Sequence, residues 1–304
     1  MELAITENAR LLVDKAYNLL TPCTVCPHLC AVDRLADENY GECRTGLMPK
    51  VSSANLHFGE EPPVSGHSGS GTIFFANCNL SCKYCQNYPI SQYGEGKPVS
   101  PEELANIMLR LQKRGAHNIN FVTPSHVVPQ IIKAYFLAKE QDFDRPIVYN
   151  SSGYDSVETL KLLEGIVDMY MPDMRYDDSV ISQEFSGVAD YPQVNREAIK
   201  EMHRQVGDLQ VDKDGIGVGG LLIRHLVLPH GFSGSEGIFK FVAEKISKKT
   251  YISLMSQYFP AYKAVEHPKL NRRITRKEFK KAVDVYYNAG LSNGYIQPAP
   301  IGAF

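Results

Sequence analysis

The 304-residue sequence has no long hydrophobic run, no excess of charge of one sign and no low-complexity stretch. No apolar segment approaches the roughly 18 residues that a membrane-spanning helix needs, which argues against a membrane protein. The formal net charge is -2, and no dense tract of Lys and Arg occurs, so binding to nucleic acid or to an anionic membrane is not favoured. The sequence also lacks internal repeats, and its 43% hydrophobic and 22% charged residues are typical of a globular protein.

The first 20 residues lack the features of a signal peptide. Glu2, Glu7 and Asp14 interrupt the apolar pattern, which predicts an amphipathic helix instead. We therefore expect a cytoplasmic protein. In that compartment clustered cysteines are more often metal ligands or redox groups than disulfides, and an odd count of seven excludes complete internal pairing.

All seven cysteines lie within residues 23–85, in an N-terminal group of four and a second group of three. Four thiolates without a histidine are enough to close either a tetrahedral zinc site or an auxiliary iron–sulfur cluster, and the spacing does not decide between them, although zinc is the preferred alternative. We expect residues 1–52 to form an N-terminal helix and a four-cysteine metal-binding segment. Its ligands would be Cys23, Cys26, Cys30 and Cys43.

Residues 53–304 alternate between strand and helix patterns. GTIFFAN at 71–77 is a strand pattern, and Ser100 with Glu103 begins a helix that Gly115 ends. A later helix is opened by Thr275 and Glu278. About six or seven parallel strands favour an α/β fold, namely a partial (β/α)6 TIM-like barrel. The other predicted strands cover residues 118–122, 146–150, 166–171, 221–228, 251–255 and 294–297.

The second cysteine group follows the first strand of this series, at the face where such barrels bind their ligands. Cys78, Cys82 and Cys85 suit a 4Fe-4S cluster in which one iron stays open to an exogenous ligand. A structural zinc or a redox cysteine site is the alternative, but structural zinc prefers four protein ligands. Tyr84 is placed to cover such a cluster from water.

This loop, with its Cys-x3-Cys-x2-Cys spacing and an aromatic residue before the third cysteine, resembles the radical S-adenosylmethionine (radical SAM) superfamily. The order of GSGTIFFANCNLSCKYCQN, YNSSGY, VDMYMPDMR, RHLVLPH and SLMSQY is similar to that of pyruvate formate-lyase activating enzyme-like proteins. The resemblance implies reductive cleavage of S-adenosylmethionine to a 5′-deoxyadenosyl radical, which abstracts hydrogen from a protein, peptide or small-molecule substrate. It also implies an electron donor such as flavodoxin or ferredoxin.

The same resemblance implies a set of side chains that bind S-adenosylmethionine. Two of them stand in the stretch VTPSH, where many radical proteins carry a Gly-Gly-Glu-Pro-like turn, and an Asp-x-Arg pattern replaces the Asp-x-Lys of activating enzymes. Glycyl-radical activators with auxiliary clusters generally carry a ferredoxin-like insert after the loop, whereas the extra cysteines here precede it. The implied residues, besides Tyr84, are Asn87, Thr123, Ser125, Asn150, Ser152, Asp173, Arg175, His225 and Gln257.

Several alternatives stay open at this point. Residues 57–71 have the composition of a linker, although Glu60 and Glu61 are also suited to cover a substrate or to pair with Arg175. Asn150 and Ser152 also fit a capped turn, and His225 a packed strand residue. The chain as a whole fits two other classes less well: an iron–sulfur electron-transfer protein without S-adenosylmethionine chemistry, and an RNA-modifying radical SAM enzyme.

Overall fold

The computed structural model describes residues 7–36 and 41–298. Within these ranges the strands are β1 (Lys50–His57), β2 (Ser70–Phe75), β3 (Lys97–Pro98), β4 (Ile119–Val122), β5 (Ile147–Asn150), β6 (Met169–Tyr170), β7 (Gln210–Val211), β8 (Gly217–Leu226), β9 (Tyr251–Met255) and β10 (Gly294–Ile296). The helices are α1 (Glu7–Tyr17), α2 (Pro62–Ser65), α3 (Tyr88–Ser91), α4 (Pro101–Lys113), α5 (Val128–Lys139), α6 (Val157–Lys161), α7 (Ser179–Ser186), α8 (Tyr191–Val206), α9 (Ser235–Phe241) and α10 (Arg276–Asn288). No helix of these residues is both long and apolar enough to cross a membrane.

One sheet organises the fold, in the order β10-β9-β8-β6-β5-β4-β2-β1-β3. The seven strands from β10 to β2 run parallel, and β1 and β3 close the other edge in antiparallel pairing. Helices connect the parallel strands, as βαβ units require. The architecture is the partial barrel that the strand and helix patterns predict.

Side chains alternate between the two faces of the parallel strands. The outward face, with residues such as Ile73, Phe121 and Tyr149, packs beneath the helices in the main hydrophobic core. The inward face carries a second, smaller apolar cluster inside the barrel. Its members are Val64, Val148, Met169, Met171 and Leu222.

Helix α2 is a plug at the amino-terminal end of the barrel. It contributes the fully buried Val64 to the inner cluster, and the Asn118 side chain donates to the Val64 carbonyl oxygen at 2.8 Å. The chain leaves α2 through Gly66, whose φ of +48° favours glycine. A Cβ at this position would lie 2.2 Å from Ile216 Cδ1. The plug is therefore fixed both by packing and by hydrogen bonding.

The predicted caps agree with the structure. Ser100 and Glu103 form a capping box on α4, and Thr275 and Glu278 form one on α10. The N-terminal helix begins at Glu7, while residues 1–6 of its predicted range lie outside the described residues. The boundary predicted between residues 52 and 53 falls inside β1, which pairs with β2 along most of its length. Helices α7 and α8 were not predicted.

Candidate active site

Three cysteines project from the loop that follows β2. Burial raises the pKa of Cys78 to about 12, and the neighbouring thiols of Cys82 and Cys85 act in the same direction. Burial and then Cys82 also raise the pKa of Cys85. Three thiolates this close would repel one another, so the set fits a strongly cationic group such as the irons of a cluster. Among residues 7–36 and 41–298, no group of three or more His, Cys, Asp or Glu side chains is arranged, as it stands, to hold a metal ion.

The sulfur of Cys82 accepts two hydrogen bonds from outside the loop. Ser186, the last residue of α7, donates through Oγ at 3.0 Å, and Arg175 donates through its guanidinium at 3.3 Å. The backbone of the loop is also tied to α7, since Lys83 N donates to the Phe185 carbonyl oxygen at 2.8 Å. The unpredicted helix α7 therefore positions the middle cysteine.

Tyr84 is buried beneath the loop. Its hydroxyl accepts from Tyr176 at 2.7 Å, and its ring packs edge-on against Tyr176 and Tyr258. The Tyr176 hydroxyl also lies 2.6 Å from Ser186 Oγ, so these hydroxyl groups form a chain that ends on Cys82. The loop therefore packs on a cluster of tyrosine side chains.

A groove of about 130 Å³ opens beside the cysteine loop. It brings together Cys85 and five of the side chains predicted to bind S-adenosylmethionine, from the cluster loop, the end of β6 and the end of β9. Arg224 and Leu226 of β8 also line it, although the sequence analysis did not select them. The lining consists of Tyr84, Cys85, Gln86, Asn87, Asp173, Arg175, Arg224, Leu226, Met255 and Gln257.

Asp173 is held between two arginines inside the groove. Arg224 Nε donates to its Oδ1 at 2.9 Å, and Arg175 donates to its Oδ2 at 2.5 Å. Burial alone would raise the pKa of Asp173, but Arg224 and then Arg175 outweigh burial and hold the pKa below its usual value. The groove therefore carries an ionised carboxylate with two guanidinium groups fixed around it.

Four further predicted residues lie at the carboxyl ends of β4 and β5, outside the lining of this groove. Thr123 has a φ of +61°, and its N–H donates to the Asn150 carbonyl oxygen at 2.9 Å. Ser125 is buried beside the carboxyl of Asp155. Ser152 Oγ is buried and makes no hydrogen bond within the described parts of the chain. These residues lie on the same edge of the sheet as the cysteine loop, because the strands are parallel.

The structure does not bring His225 to the groove. Arg224 and Leu226 line the groove, so the alternation along β8 directs His225 to the outer face. There its Nδ1 lies 2.7 Å from the Met174 carbonyl oxygen and its Nε2 2.9 Å from Ser235 Oγ. Burial lowers its pKa to about 4. Its surroundings are those of a packed strand histidine, and the expectation that it contacts a cofactor needs this correction.

Glu60 and Glu61 pair with Arg224 and not with Arg175. Arg224 lies 3.7 Å from Glu60 Oε2 and 4.0 Å from Glu61 Oε1. The sequence contains a signal for Arg224, because an arginine inside the largely apolar run LLIRHLVL needs buried partners for its charge. The acids that contact Arg224 precede α2 in the chain, so the sequence of β8 alone does not identify them.

The four N-terminal cysteines line one small cavity. The cavity has room for about one water-sized species. Burial raises the pKa of Cys26 to about 12, and the other three thiols act in the same direction. Gly41 lies against this group, and a Cβ there would stand 2.4 Å from Cys30 Sγ.

This segment holds the cluster loop directly. His28, between the second and third cysteines, lies with Nε2 2.7 Å from the Asn79 carbonyl oxygen. Asn77 donates from Nδ2 to the Arg44 carbonyl oxygen at 3.0 Å, just past Cys43. The backbone of Asn77 is in the left-handed region, with φ of +69°, where the chain turns out of β2.

Arg34 makes a second connection between the two cysteine groups. Its buried guanidinium donates to the carbonyl oxygens of Gly46 and His126 at 3.0 and 2.9 Å and lies 3.9 Å from Cys23 Sγ. The ring of His126 in turn reaches the Ala76 carbonyl oxygen at 3.1 Å, immediately before the cluster loop. The N-terminal segment is thus packed against the face of the barrel that carries the three-cysteine loop.

The same region of the chain matches a known family. Residues 72–205, from β2 through α8 and including the three-cysteine loop, match the family model of the Radical SAM superfamily. The chain belongs to the radical SAM superfamily.

Three proteins similar to this radical SAM protein differ widely in sequence identity. The uncharacterized protein MJ0674 of Methanocaldococcus jannaschii is 32% identical over 291 residues, which cover 92% of this chain and 79% of the relative. The structure of HydG, a maturase of the [FeFe]-hydrogenase, is similar with a TM-score of 0.52 and 15% identity, over 97% of this chain and 64% of that chain. A radical SAM methyltransferase from Sphaerobacter thermophilus gives 0.48 and 11%, over 74% and 66%. At 15% identity the HydG structure shows the fold alone.

Proposed function

We propose that the chain is a radical SAM enzyme in which Cys78, Cys82 and Cys85 hold a 4Fe-4S cluster and S-adenosylmethionine binds in the adjacent groove. The observation that carries the proposal is that three neighbouring cysteines lie on the loop that follows β2, with one of them, Cys85, on the wall of that groove. When bound, the cluster and S-adenosylmethionine would supply the 5′-deoxyadenosyl radical that abstracts hydrogen from a substrate.

The residues of the groove suit the polar ends of S-adenosylmethionine. Arg175 presents a planar guanidinium, which can bind a carboxylate through two hydrogen bonds, and Asp173 holds it in place. Asn87 and Gln257 add amide groups at the rim. Thr123, Ser125, Asn150 and Ser152 would extend the site along the ends of β4 and β5, where Ser152 Oγ has no described partner.

The reaction requires an electron donor such as flavodoxin or ferredoxin, and we propose a protein, peptide or small-molecule substrate. The similarity in motif order to pyruvate formate-lyase activating enzyme-like proteins supports a related reaction. Glycyl-radical activators with auxiliary clusters generally carry their extra cysteines in an insert after the cluster loop, whereas this chain carries four before the barrel. The similarity therefore does not identify a glycyl-radical enzyme as the substrate.

For the N-terminal cysteines we propose a single zinc ion. Four thiolates without histidine suit a closed tetrahedral site. The cavity among the four cysteines has room for about one water-sized species, which suits a single metal ion. Metal binding there would stabilise a segment that has little apolar core of its own.

The test is anaerobic reconstitution with iron and sulfide, reduction with dithionite and an assay for 5′-deoxyadenosine, with iron and zinc counted in the same sample. We expect about four irons and about one zinc per chain, together with 5′-deoxyadenosine. Cys82→Ala should lose the iron and the product but keep the zinc. About eight irons without zinc would replace the zinc site by a second cluster.

The proposal would be contradicted if the protein, with a fully loaded and reducible cluster, formed no 5′-deoxyadenosine from S-adenosylmethionine either alone or with added cell extract as a source of substrate. That result would favour an iron–sulfur electron-transfer protein instead.

A further inference from the structure

A second cavity of about 200 Å³ lies next to the groove. Arg224, Met255 and Gln257 line both spaces, so the two are neighbours across a shared wall. We call this second space the inner cavity. Its lining consists of Gly59, Glu60, Glu61, Pro62, Arg224, Ser253, Met255, Gln257, Tyr295 and Gln297.

The plug fixes two acidic residues on the wall of the inner cavity. Glu60 N donates to Ser65 Oγ at 2.9 Å, and α2 begins directly after Glu61 with two prolines. The side chains of Glu60 and Glu61 are only 8% and 7% exposed. Carboxylates are rarely buried to this extent unless they are paired.

The pairing of these carboxylates is incomplete. Arg224 is the only cation in the described lining of the inner cavity, and its closest acidic contact is Asp173 at 2.9 Å. The distances from Arg224 to Glu60 and Glu61, 3.7 and 4.0 Å, are longer than hydrogen bonds. Even with Arg175 counted, three carboxylates face two guanidinium groups, and the other basic contact of Glu60 is His57 Nδ1 at 3.5 Å, also longer than a hydrogen bond.

Two buried polar atoms on this wall have no hydrogen-bond partner among the described residues. Glu61 Oε2 is one, and Ser253 Oγ, whose residue is fully buried, is the other. A carboxylate can only accept, so the missing partner of Glu61 must be a donor. A neutral or anionic ligand would leave buried Glu61 with no cation closer than Arg224 at 4.0 Å.

We propose that the inner cavity recognises a positively charged nitrogen group of the substrate, an amine or a guanidinium. This inference rests on the proposed function, because it assigns the substrate class of the same enzyme. Such a group supplies both a positive charge and several N–H donors to Glu61, Glu60 and Ser253. It is carried either by a small molecule or by a lysine or arginine side chain of a peptide.

Calorimetry on the reconstituted holoenzyme with S-adenosylmethionine bound tests this proposal. The probes are butylguanidinium and its neutral isostere butylurea, and the peptide acetyl-Gly-Arg-Gly-amide with its citrulline counterpart. We expect the charged member of each pair to bind at least about tenfold more tightly. Tighter binding of the arginine peptide than of butylguanidinium supports a peptide source, and equal binding supports a small molecule.

Glu61→Gln keeps the shape of the side chain and removes its charge. We expect it to abolish the preference for the charged probes, while Glu197→Gln, on the exposed surface of α8, keeps the preference. Ser253→Ala, a smaller change, should reduce the preference severalfold. The affinity for S-adenosylmethionine, followed by its effect on the electron paramagnetic resonance signal of the reduced cluster, should stay within about twofold in Glu61→Gln.

Equal binding of guanidinium and urea probes to the wild type would overturn the proposal. So would a Glu61→Gln enzyme that loses affinity for S-adenosylmethionine instead of the probes, or Mg²⁺ alone displacing the charged probes. Because binding is measured without turnover, an enzyme that bound the probes but never cleaved S-adenosylmethionine would refute the proposed function and leave the cation site intact.

Discussion

Ser186 Oγ donates a hydrogen bond to Cys82 Sγ at 3.0 Å across 104 residues of sequence. The contact joins the end of α7 to the middle cysteine of the loop, and Arg175 donates to the same sulfur from another direction. Hydrogen bonds to the sulfurs of an iron–sulfur cluster stabilise its reduced, more negative state. The surroundings of Cys82 are therefore expected to tune the ease of reduction.

Ser186→Ala should lower the midpoint potential of the cluster without changing its iron content, because it removes one donor and no ligand. A redox titration followed by electron paramagnetic resonance measures this. Ser182→Ala is the matched control, since Ser182 is buried on the same helix but donates to the Ser179 carbonyl oxygen. Equal potentials in the two variants would remove Ser186 from any tuning role.

Cys26→Ala should lose the N-terminal metal but still assemble the three-cysteine cluster, in a less stable form. The contact between His28 and Asn79 ties the two together, and it depends on the fold of the metal segment. We expect the cluster to be lost severalfold faster in the presence of an iron chelator. His28→Ala, with its metal retained, should show the same direction of change, and an unchanged rate in both variants would mean that the two sites are independent.

Gly41→Ala should weaken metal binding at the N-terminal cysteines. The added Cβ would lie 2.4 Å from Cys30 Sγ, too close for a real contact, so the sulfur must shift. Competition with a chromophoric zinc chelator measures the affinity, which we expect to fall by at least about tenfold, or ~1.4 kcal/mol. A wild-type affinity would show that Cys30 is not a ligand.

Glu278→Gln should destabilise the fold at neutral pH by about 1–2 kcal/mol, through loss of charged hydrogen bonds. Its hydrogen bonds with Arg272 first, and then with Thr275 and His230, lower the pKa of Glu278 to about 2. A lowered folded-state pKa stabilises the fold above the unfolded value of 4.5, and this contribution is lost as the pH falls towards 2. Urea unfolding between pH 7 and pH 3.5 gives the difference in free energy of unfolding between the two proteins. We expect this difference to be constant down to about pH 4.5 and to shrink below it. A difference that stays the same over the whole range would contradict the assignment.

The sequence identified the local parts of this structure well. Capping boxes at Ser100 and Thr275 are read from residues three apart, and each parallel strand is a short apolar run between turn residues. The cysteine loop is equally local. The carboxyl-edge placement of Asp173, Arg175 and Gln257 followed from the rule that parallel strands share one ligand-binding edge.

Three features of the structure were not predicted from the sequence, namely α8, the pairing of β1 with β2 and the contact of Glu61 with Arg224. Helix α8 carries Val194, Ala198 and Met202 at helical spacing after Asp190 and Pro192, a signal that was present but not used. The pairing of β1 with β2 and the meeting of Glu61 with Arg224 depend instead on contacts distant in sequence. The second of these joins residues 163 positions apart, and no local pattern specifies it.

Arg224 belongs to the walls of two neighbouring spaces; it donates to Asp173 in the groove and lies within ion-pair distance of Glu60 and Glu61 in the inner cavity. A ligand in the inner cavity that drew the Arg224 guanidinium away from Asp173 would also disturb the contact of Asp173 with Arg175, which donates to Cys82. Occupation of the inner cavity and of the groove would then be thermodynamically coupled. Such coupling is reciprocal, so whatever factor one ligand imposes on the affinity of the other is returned in equal measure.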